Sequence, residues 1–271
     1  MTIDNKEVPI GNRSVVVRIT DVCNNQCAHC CFSCSPKNKL YMEESVAQKI
    51  NSFFVNTETT RWWFNVMGGE PTLHPHYEDV INSFGQRNIR LVTNGWWIKN
   101  PKATDRFVTF LKSSRASIHI GVSRDKFHPP KVGDLAYTHL MSLNFKDDFG
   151  LSAPEPANEE KSIAMVGRAW WNGIGDEFLN RFHCYCMSSN TRSTSFTVLE
   201  DGTITHCPFG IIPIGKIESS TIEDLHIKKE KIKKAVEENL MSCYNCYKAW
   251  EMGGRSRFIS AGYDIYRKSS L

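Results

Sequence analysis

The sequence predicts an α/β fold in which parallel strands curl into a barrel or part of one. From Ser14 to about Leu111, short β-rich runs alternate with helical stretches, a pattern typical of βαβ units and a parallel sheet. Right-handed crossovers between such units bend the sheet around on itself. The pattern changes after Arg181, and 271 residues suffice for a main domain and a smaller one.

Strands and helices of the first domain can be assigned individually. We predict strands at Val15–Asp21, Arg61–Met67, Ile89–Thr93 and Ser117–Ser123. Helices are predicted between them at Met42–Val55, Pro75–Arg87 and Pro101–Ser113. Proline stands near the start of the last two helices, where it is well accepted. A further helix after Gly133 and a fifth strand at Ser162–Val166 complete the domain.

The second domain begins with a hairpin. Ser195–Leu199 and Thr203–His206 flank Asp201–Gly202, a strong hairpin signal. A loop from Pro208 to Gly215 and a charged helix around Ile227–Leu240 follow, and the KKEKIKK run is interpreted as the solvated face of that helix. We therefore divide the chain into residues 1–181 and 182–271.

Composition and charge restrict the class of protein. Lys and Arg number 33 against 29 Asp and Glu, a net charge of +4, which is not the broad positive field typical of nucleic-acid binding. No run of about 18 apolar residues is present to span a bilayer, and Met1 to Arg13 lack the apolar core of a signal peptide. We expect a cytoplasmic protein that binds neither nucleic acid nor membrane.

The ten cysteines fall into two groups. Five lie between Cys23 and Cys34, and the other five are Cys184, Cys186, Cys207, Cys243 and Cys246. In a reducing compartment, clustered cysteines indicate metal ligands rather than disulfides. Two separate metal centres are predicted.

The first group contains a CxxxCxxC motif. Cys23, Cys27 and Cys30 follow the first predicted strand, and three thiolates can hold three irons of a [4Fe–4S] cubane while leaving the fourth iron open. An open metal position is where a substrate or cofactor can coordinate. A zinc site is the alternative, with Cys31, Cys34 or His29 as its fourth ligand.

The next motif lies at the end of the second predicted strand. Two glycines expose the backbone before a carboxylate in Gly68-Gly69-Glu70-Pro71, at the carboxyl end of a strand, where parallel-sheet and barrel enzymes place their sites. CxxxCxxC followed by this segment resembles the radical S-adenosylmethionine (radical SAM) superfamily. The resemblance favours the open iron–sulfur cluster over zinc.

The resemblance implies a partial (β/α)6 TIM-like barrel, although only five of its six strands can be assigned here. It implies that S-adenosylmethionine chelates the open iron and that a flavodoxin- or ferredoxin-type protein supplies an electron. Cleavage of the sulfonium would release a 5′-deoxyadenosyl radical that abstracts a substrate hydrogen atom. The resemblance implies that Gly68, Gly69 and Glu70, with Pro71 next to them, form the cofactor-binding segment that holds the methionine amino group through its first three residues. Thr93 and Asn94 would lie near the cofactor, Ser123 would contact ribose or carboxylate, and Arg168 would neutralise the carboxylate.

The second cysteine group resembles the twitch domain, a shortened SPASM domain that holds an auxiliary [4Fe–4S] cluster behind many radical SAM barrels. Its implied ligands are Cys186, Cys207, Cys243 and Cys246, with Cys184 as an alternative first ligand. A zinc ribbon is the competing interpretation. Four ligands would make the cluster an electron acceptor and the reaction an oxidation, whereas a missing ligand would favour substrate coordination.

Three further side chains are catalytic candidates. Cys34, or whichever of Cys184 and Cys186 is not a ligand, could donate a hydrogen atom, although close packing behind the cluster is as good an explanation of Cys34. Asp125 and His128, on a predicted rim loop, could contact substrate or act as a general base, or have no role. Trp96 and Trp97 could form an aromatic wall at the barrel mouth.

Three functions follow from these interpretations. The first is oxidation, crosslinking or epimerisation of a peptide, because most enzymes with SPASM or twitch extensions modify peptides. Only about a dozen residues precede the first strand, and we expect no leader-peptide-binding domain there. The second is oxidation of a small polar alcohol or aminocyclitol, as in the twitch-bearing dehydrogenase of the butirosin pathway. The third is a non-catalytic iron–sulfur or zinc protein, which an open iron makes improbable.

Overall fold

The computed structural model describes residues 11–57, 60–125, 127–129, 131–143, 151–152, 168–172, 174, 194–206 and 212–239. Its strands are β1 (Gly11–Thr20), β2 (Thr60–Gly68), β3 (Asn88–Thr93), β4 (Ser117–Val122), β5 (Leu151–Ser152), β6 (Thr194–Val198), β7 (Thr203–Thr205) and β8 (Pro213–Lys216). Its α-helices are α1 (Glu44–Phe53), α2 (Tyr77–Asn82), α3 (Pro101–Ser113), α4 (Val132–Ser142), α5 (Arg168–Trp171) and α6 (Ile222–Asn239).

All eight strands form one sheet in the order β5-β4-β3-β2-β1-β6-β7-β8. The strands from β5 to β1 pair in parallel, and β6 joins the free edge of β1, also in parallel. β7 and β8 then add in antiparallel fashion. Helices connect the parallel strands as βαβ units require. The predicted α/β fold class is confirmed.

The two faces of the sheet differ in polarity because alternate residues of a strand point to opposite sides. Val15, Val17 and Ile19 of β1 are fully buried in the apolar core between the sheet and the helices. Trp62 of β2 packs against Phe54 on the helical side, with ring centroids 4.8 Å apart. Its neighbour Trp63 points to the inner side. The inner side is the more polar one and carries the site.

Two predicted elements differ from those observed. The predicted helix Pro75–Arg87 is replaced by a 3-10 turn at Pro71–Leu73 and the short helix α2. A glycine with φ +69°, Gly85, follows α2 and suits the turn into β3. The segment predicted as a loop before Gly215 contains strand β8, in which proline is tolerated because it is the first residue.

The segment predicted to form the second domain continues the sheet of the first segment. Its hairpin, β6 and β7, continues the sheet beyond β1, and the guanidinium of Arg18 forms a buried ion pair of 2.7 Å with Glu200 after β6. Helix α6 begins before the predicted start because Thr221 and Asp224 cap it reciprocally. The predicted domain boundary and the predicted strand Ser162–Val166 lie outside the described residues. Within those residues, no helix has the length and apolarity needed to cross a membrane.

Candidate functional site

A cavity of about 370 Å³ opens at the carboxyl ends of β1 to β4. Parallel-sheet enzymes place their sites at this edge because the loops that follow the strands converge there. Predicted site residues from five separate segments meet in its lining, namely Cys23, Cys27, Cys30, Cys34, Gly68, Gly69, Thr93, Asn94, Ser123, His128 and Arg168.

Gly68 and Gly69 allow the end of β2 to run directly against the cysteine loop. The amide of Gly69 donates to the carbonyl of Thr20, and the amide of Glu70 donates to the carbonyl of Val22, both at 2.8 Å. A Cβ atom at Gly69 would lie 2.0 Å from the Val22 oxygen, and one at Gly68 would lie 2.1 Å from the Thr20 oxygen. Only glycine permits this approach.

The carboxylate of Glu70 lies in the wall behind the cavity. It is fully buried and accepts hydrogen bonds from the Thr72 hydroxyl at 2.6 Å, the Thr93 hydroxyl at 2.7 Å and the Asn94 amide at 2.7 Å. Burial raises the pKa of Glu70, and these donors oppose that rise. Its side chain therefore joins the loops after β2 and β3, while Pro71 begins the 3-10 turn.

Asn94 connects β3 to the cysteine loop. Its side-chain amide donates to Asn24 Oδ1 at 3.0 Å and lies 3.7 Å from the Cys23 sulfur. Its own Oδ1 accepts from the Trp96 amide at 3.0 Å. The sequence predicted Asn94 near a cofactor, and the structure places it against the first cysteine of the motif.

Arg168 holds the cysteine loop from the other side. Its Nε donates to the carbonyl of Cys27 at 2.8 Å, and its Nη2 donates to the carbonyl of Cys34. The backbone amide of Arg168 also donates to the carbonyl of Cys30 at 3.0 Å. The guanidinium thus fixes the loop as well as lining the cavity. Sequence reasoning missed this role, because nothing local indicates a contact across more than 130 residues.

The thiols of the loop differ in acidity. Burial raises the pKa of Cys23 to about 12. A hydrogen bond with Cys34, helped by the charge of Arg168, lowers the pKa of Cys30 to about 6. The same hydrogen bond and burial raise the pKa of Cys34 strongly. Cys30 is thus a thiolate when Cys34 is still a thiol, and thiolates are what metals bind.

A cluster of three polar side chains lies at the cavity, formed by His29, Asp125 and His128. Each offers one ligand atom, and the three atoms lie within 4.8 Å of one another, close enough for a metal ion. His128 Nδ1 lies 2.8 Å from the Asp125 carboxylate. Burial opposes its charge, but hydrogen bonds with Asp125 and Cys27 raise the pKa of His128 to about 10. Sequence reasoning named Asp125 and His128 but considered His29 only as a zinc ligand.

Two further expectations from the sequence concern the tryptophans after β3 and the second group of cysteines. Trp97 is fully buried and packs on Phe107, with ring centroids 4.6 Å apart, so the prediction that it forms a substrate wall at this cavity is wrong. Trp96 is half-buried and donates to the Thr72 hydroxyl at 2.8 Å, outside the cavity lining. The cysteines of the second group, Cys184, Cys186, Cys207, Cys243 and Cys246, lie outside the described residues and stay predictions.

Comparisons with known proteins support the fold. No protein-family model matches the chain. YydG of Bacillus subtilis (strain 168), whose name refers to peptide biosynthesis, is 24% identical over 208 residues, which cover 73% of this chain and 64% of YydG. The chain therefore spans less than two thirds of the length of this relative.

Two crystal structures have a similar fold. BtrN in complex with AdoMet and 2-DOIA has a TM-score of 0.56 and 14% identity, and the match covers 86% of this chain and 91% of BtrN. Streptococcus suis SuiB bound to precursor peptide SuiA has a TM-score of 0.50 and 12% identity, over 88% of this chain and 70% of SuiB. The chain shares an α/β partial-barrel fold with these proteins.

Proposed function

We propose that the chain is a radical SAM enzyme whose [4Fe–4S] cluster is held by Cys23, Cys27 and Cys30. The observation that carries this proposal is the meeting of three motif cysteines with Gly68 and Gly69 in one cavity. When bound, the cluster and S-adenosylmethionine supply a 5′-deoxyadenosyl radical that abstracts a hydrogen atom from the substrate.

The residues of the cavity fit such a cluster. Cysteine thiolates are the usual ligands of iron–sulfur clusters, and three motif thiols on one loop line a space of about 370 Å³. Asn94 reaches the Cys23 sulfur, and Arg168 orders the loop that carries Cys27 and Cys30. Outer contacts of this kind fix ligand orientation in metal sites.

Further residues are proposed to bind S-adenosylmethionine. The backbone carbonyls at Gly68 and Gly69, which lie directly beside the cysteine loop, would accept hydrogen bonds from the methionine amino group. Ser123, which is held at the end of β4 by a 2.8 Å hydrogen bond to the Thr93 carbonyl, would contact ribose or carboxylate. The positive charge of Arg168 at the cavity would attract the cofactor's carboxylate. Glu70, Pro71 and Thr93 would keep these loops in position.

We infer that the substrate is a peptide, modified by oxidation, crosslinking or epimerisation. Support comes from YydG, whose name refers to peptide biosynthesis, and from SuiB, which was crystallised with a precursor peptide. A second candidate is a small polar metabolite. BtrN, crystallised with 2-DOIA, favours it because the match extends over 91% of BtrN.

Cys34 is the proposed hydrogen-atom donor if the reaction is an epimerisation. It lines the cavity beside Cys30, and it is not one of the three proposed cluster ligands, so its thiol hydrogen would stay available to the substrate. In that reaction the S–H bond of Cys34 breaks and its hydrogen atom forms the new C–H bond of the substrate. The thiyl radical left on Cys34 would return to the thiol by taking one electron from the proposed flavodoxin- or ferredoxin-type protein and one proton from solvent. In D₂O the product should then carry one deuterium at the epimerised carbon, and Cys34→Ala should abolish epimerised product while leaving 5′-deoxyadenosine formation intact.

Asp125 and His128 are proposed to contact polar groups of the substrate, and Asp125 is the one of the two that could accept a proton, because a pKa of about 10 leaves the His128 ring already protonated at neutral pH. Both belong to the cluster of polar side chains at the cavity, next to Cys27.

A second [4Fe–4S] cluster on Cys186, Cys207, Cys243 and Cys246 is proposed as electron acceptor, and a flavodoxin- or ferredoxin-type protein as electron donor. With a zinc ion in place of this second cluster, oxidation would have no such acceptor.

The test of the radical reaction is anaerobic reconstitution followed by dithionite and S-adenosylmethionine. We expect 5′-deoxyadenosine and about eight irons per chain, four for each cubane. Cys23→Ala should reduce iron to about four and abolish 5′-deoxyadenosine. Cys31→Ala is the matched control, because it removes a neighbouring thiol of the same loop that is not a proposed ligand. Absence of 5′-deoxyadenosine from protein with verified clusters would refute the proposal.

A further inference from the structure

A row of polar side chains crosses the inner side of the sheet next to the site. Asn65 of β2, Arg90 of β3 and His119 of β4 are paired with one another in register. They point to the same side as Trp63, because residues two apart in a strand share a face. The ring of His119 packs on Trp63, with ring centroids 5.1 Å apart. We call Asn65, Arg90 and His119 the inner row.

The inner row lies two residues along the strands from the lining of the cavity. Val92, two residues after Arg90, lines the cavity and is paired in register with Gly121. Two residues of a strand span about 6.6 Å. Gly121 has no side chain, and a Cβ atom there would lie 3.6 Å from Arg90 Nε and 3.8 Å from its Nη2. The guanidinium of Arg90 therefore lies over Gly121, on the way from the inner row to the cavity.

Arg90 carries a positive charge that the described residues do not neutralise. Its side chain is exposed on the inner side, and within the described part of the chain no carboxylate forms an ion pair with it. Two carboxylates around the site are already paired, Glu200 with Arg18 and Asp125 with His128. Charge complementarity therefore favours an anionic group from outside the protein.

The geometry favours a side-chain carboxylate of a peptide. A guanidinium binds a carboxylate through two parallel N–H bonds, and the neighbours of Arg90 in the inner row add further polar groups. In an extended peptide, side chains two residues apart point the same way and lie about 6.6 Å apart, which is the spacing between the inner row and the lining at Val92. A terminal carboxylate belongs to the backbone and would not project in this way.

We propose that Arg90 is a specificity-determining residue that binds an acidic side chain of the peptide substrate, close in sequence to the residue that is modified. This inference rests on the proposed peptide substrate. With the acidic side chain held over Gly121, the neighbouring part of the peptide would enter the cavity beside Cys34. Binding energy from remote parts of a substrate can be used in this way to orient the reacting part.

The test uses N-acetyl-L-glutamate N-methylamide, whose one carboxylate is on the side chain, and the glutamine derivative of the same shape. Ligand-observed NMR titration of the reconstituted full chain measures both affinities. Saturating S-adenosylmethionine without reductant keeps the probes out of the proposed cofactor site. The acid should bind about fivefold more tightly than the amide. Arg90→Gln should abolish this preference, and Arg90→Lys should reduce it to about twofold, because lysine keeps the charge but not the two parallel donors.

Arg115→Gln is the matched control, an exposed arginine that precedes β4 at the opposite edge of the sheet. It should leave both affinities unchanged, and thermal unfolding should show that the Arg90 variants are folded. N-acetyl-L-glutamine, whose carboxylate is terminal, should bind no more tightly than the uncharged probe.

Four results would overturn the inference. They are no binding of either probe, equal binding of acid and amide, a preference that Arg90→Gln retains, and binding of N-acetyl-L-glutamine as tight as that of the side-chain acid. The 5′-deoxyadenosine assay tests the proposed function separately. Wild-type protein that forms this product but shows no preference for the acid refutes the role of Arg90 alone.

Discussion

Thr93→Val tests the hydrogen-bond network that joins the loops of the site. Valine has nearly the shape of threonine, so the change removes a hydroxyl with little effect on packing. That hydroxyl donates to the buried Glu70 carboxylate at 2.7 Å and accepts from the Gly95 amide at 3.1 Å. A hydrogen bond to a charged group contributes about 1.5–3 kcal/mol, and an unpaired buried amide costs about 1 kcal/mol or more. The free energy of unfolding should therefore fall by about 2.5–4 kcal/mol.

Urea unfolding of the full chain measures this loss, and Thr93→Ser serves as the control. Serine keeps the hydroxyl and loses only a methyl group, which should cost about 1 kcal/mol. The reasoning predicts that valine destabilises the protein clearly more than serine does. Equal losses for the two variants, or a larger loss for serine, would show that packing of the methyl group and not the hydrogen bonds stabilises this position.

Three further predictions follow from the same contacts. Gly69→Ala should lower cluster iron by about four atoms per chain after reconstitution, because its Cβ would lie 2.0 Å from the Val22 oxygen. Gly121→Ala is the control, because a Cβ there would lie 3.6 Å from the nearest atom and should leave the iron content unchanged. Equal iron in the two variants would contradict the prediction. Arg168→Lys should speed iron loss to a chelator severalfold relative to Arg115→Lys, because Arg168 bonds the carbonyls of Cys27 and Cys34. Burial lowers the pKa of His74 below 6.5, so below that pH the unfolded chain takes up a proton that the folded chain does not. The free energy of unfolding therefore falls as the pH drops below 6.5. His74→Gln should reduce this dependence on pH by about 1 kcal/mol per pH unit in urea titrations, and an unchanged dependence would contradict the prediction.

Strands β1 to β4 could be predicted because each is a short β-rich run between helical stretches. Val15, Val16 and Val17 form such a run, and all three are buried in β1. Strand β8 could not be predicted, since a four-residue edge strand that begins with proline has too little pattern. The early start of α6 was detectable in Thr221 and Asp224, a capping pair that sequence reasoning overlooked.

The site was predictable where its residues come in motifs. Cys23, Cys27 and Cys30 and the glycines at 68 and 69 meet in one cavity because each segment ends a parallel strand. The contacts of Arg168 and His29 could not be predicted, because they depend on how segments far apart in the sequence approach each other in the fold. Trp97 was misassigned since its position after β3 suggested the barrel mouth, while the 3-10 turn at Trp96–Lys99 directs it into the core.

The central claim is that the first cluster has an open iron that binds S-adenosylmethionine. Electron paramagnetic resonance of the dithionite-reduced protein, recorded with and without S-adenosylmethionine, tests it most directly. A variant with Cys243 and Cys246 replaced by alanine would remove the proposed second cluster, so the signal would come from the first cluster alone. The account predicts a spectrum that shifts when S-adenosylmethionine is added. An unchanged spectrum from a fully loaded cluster would contradict it.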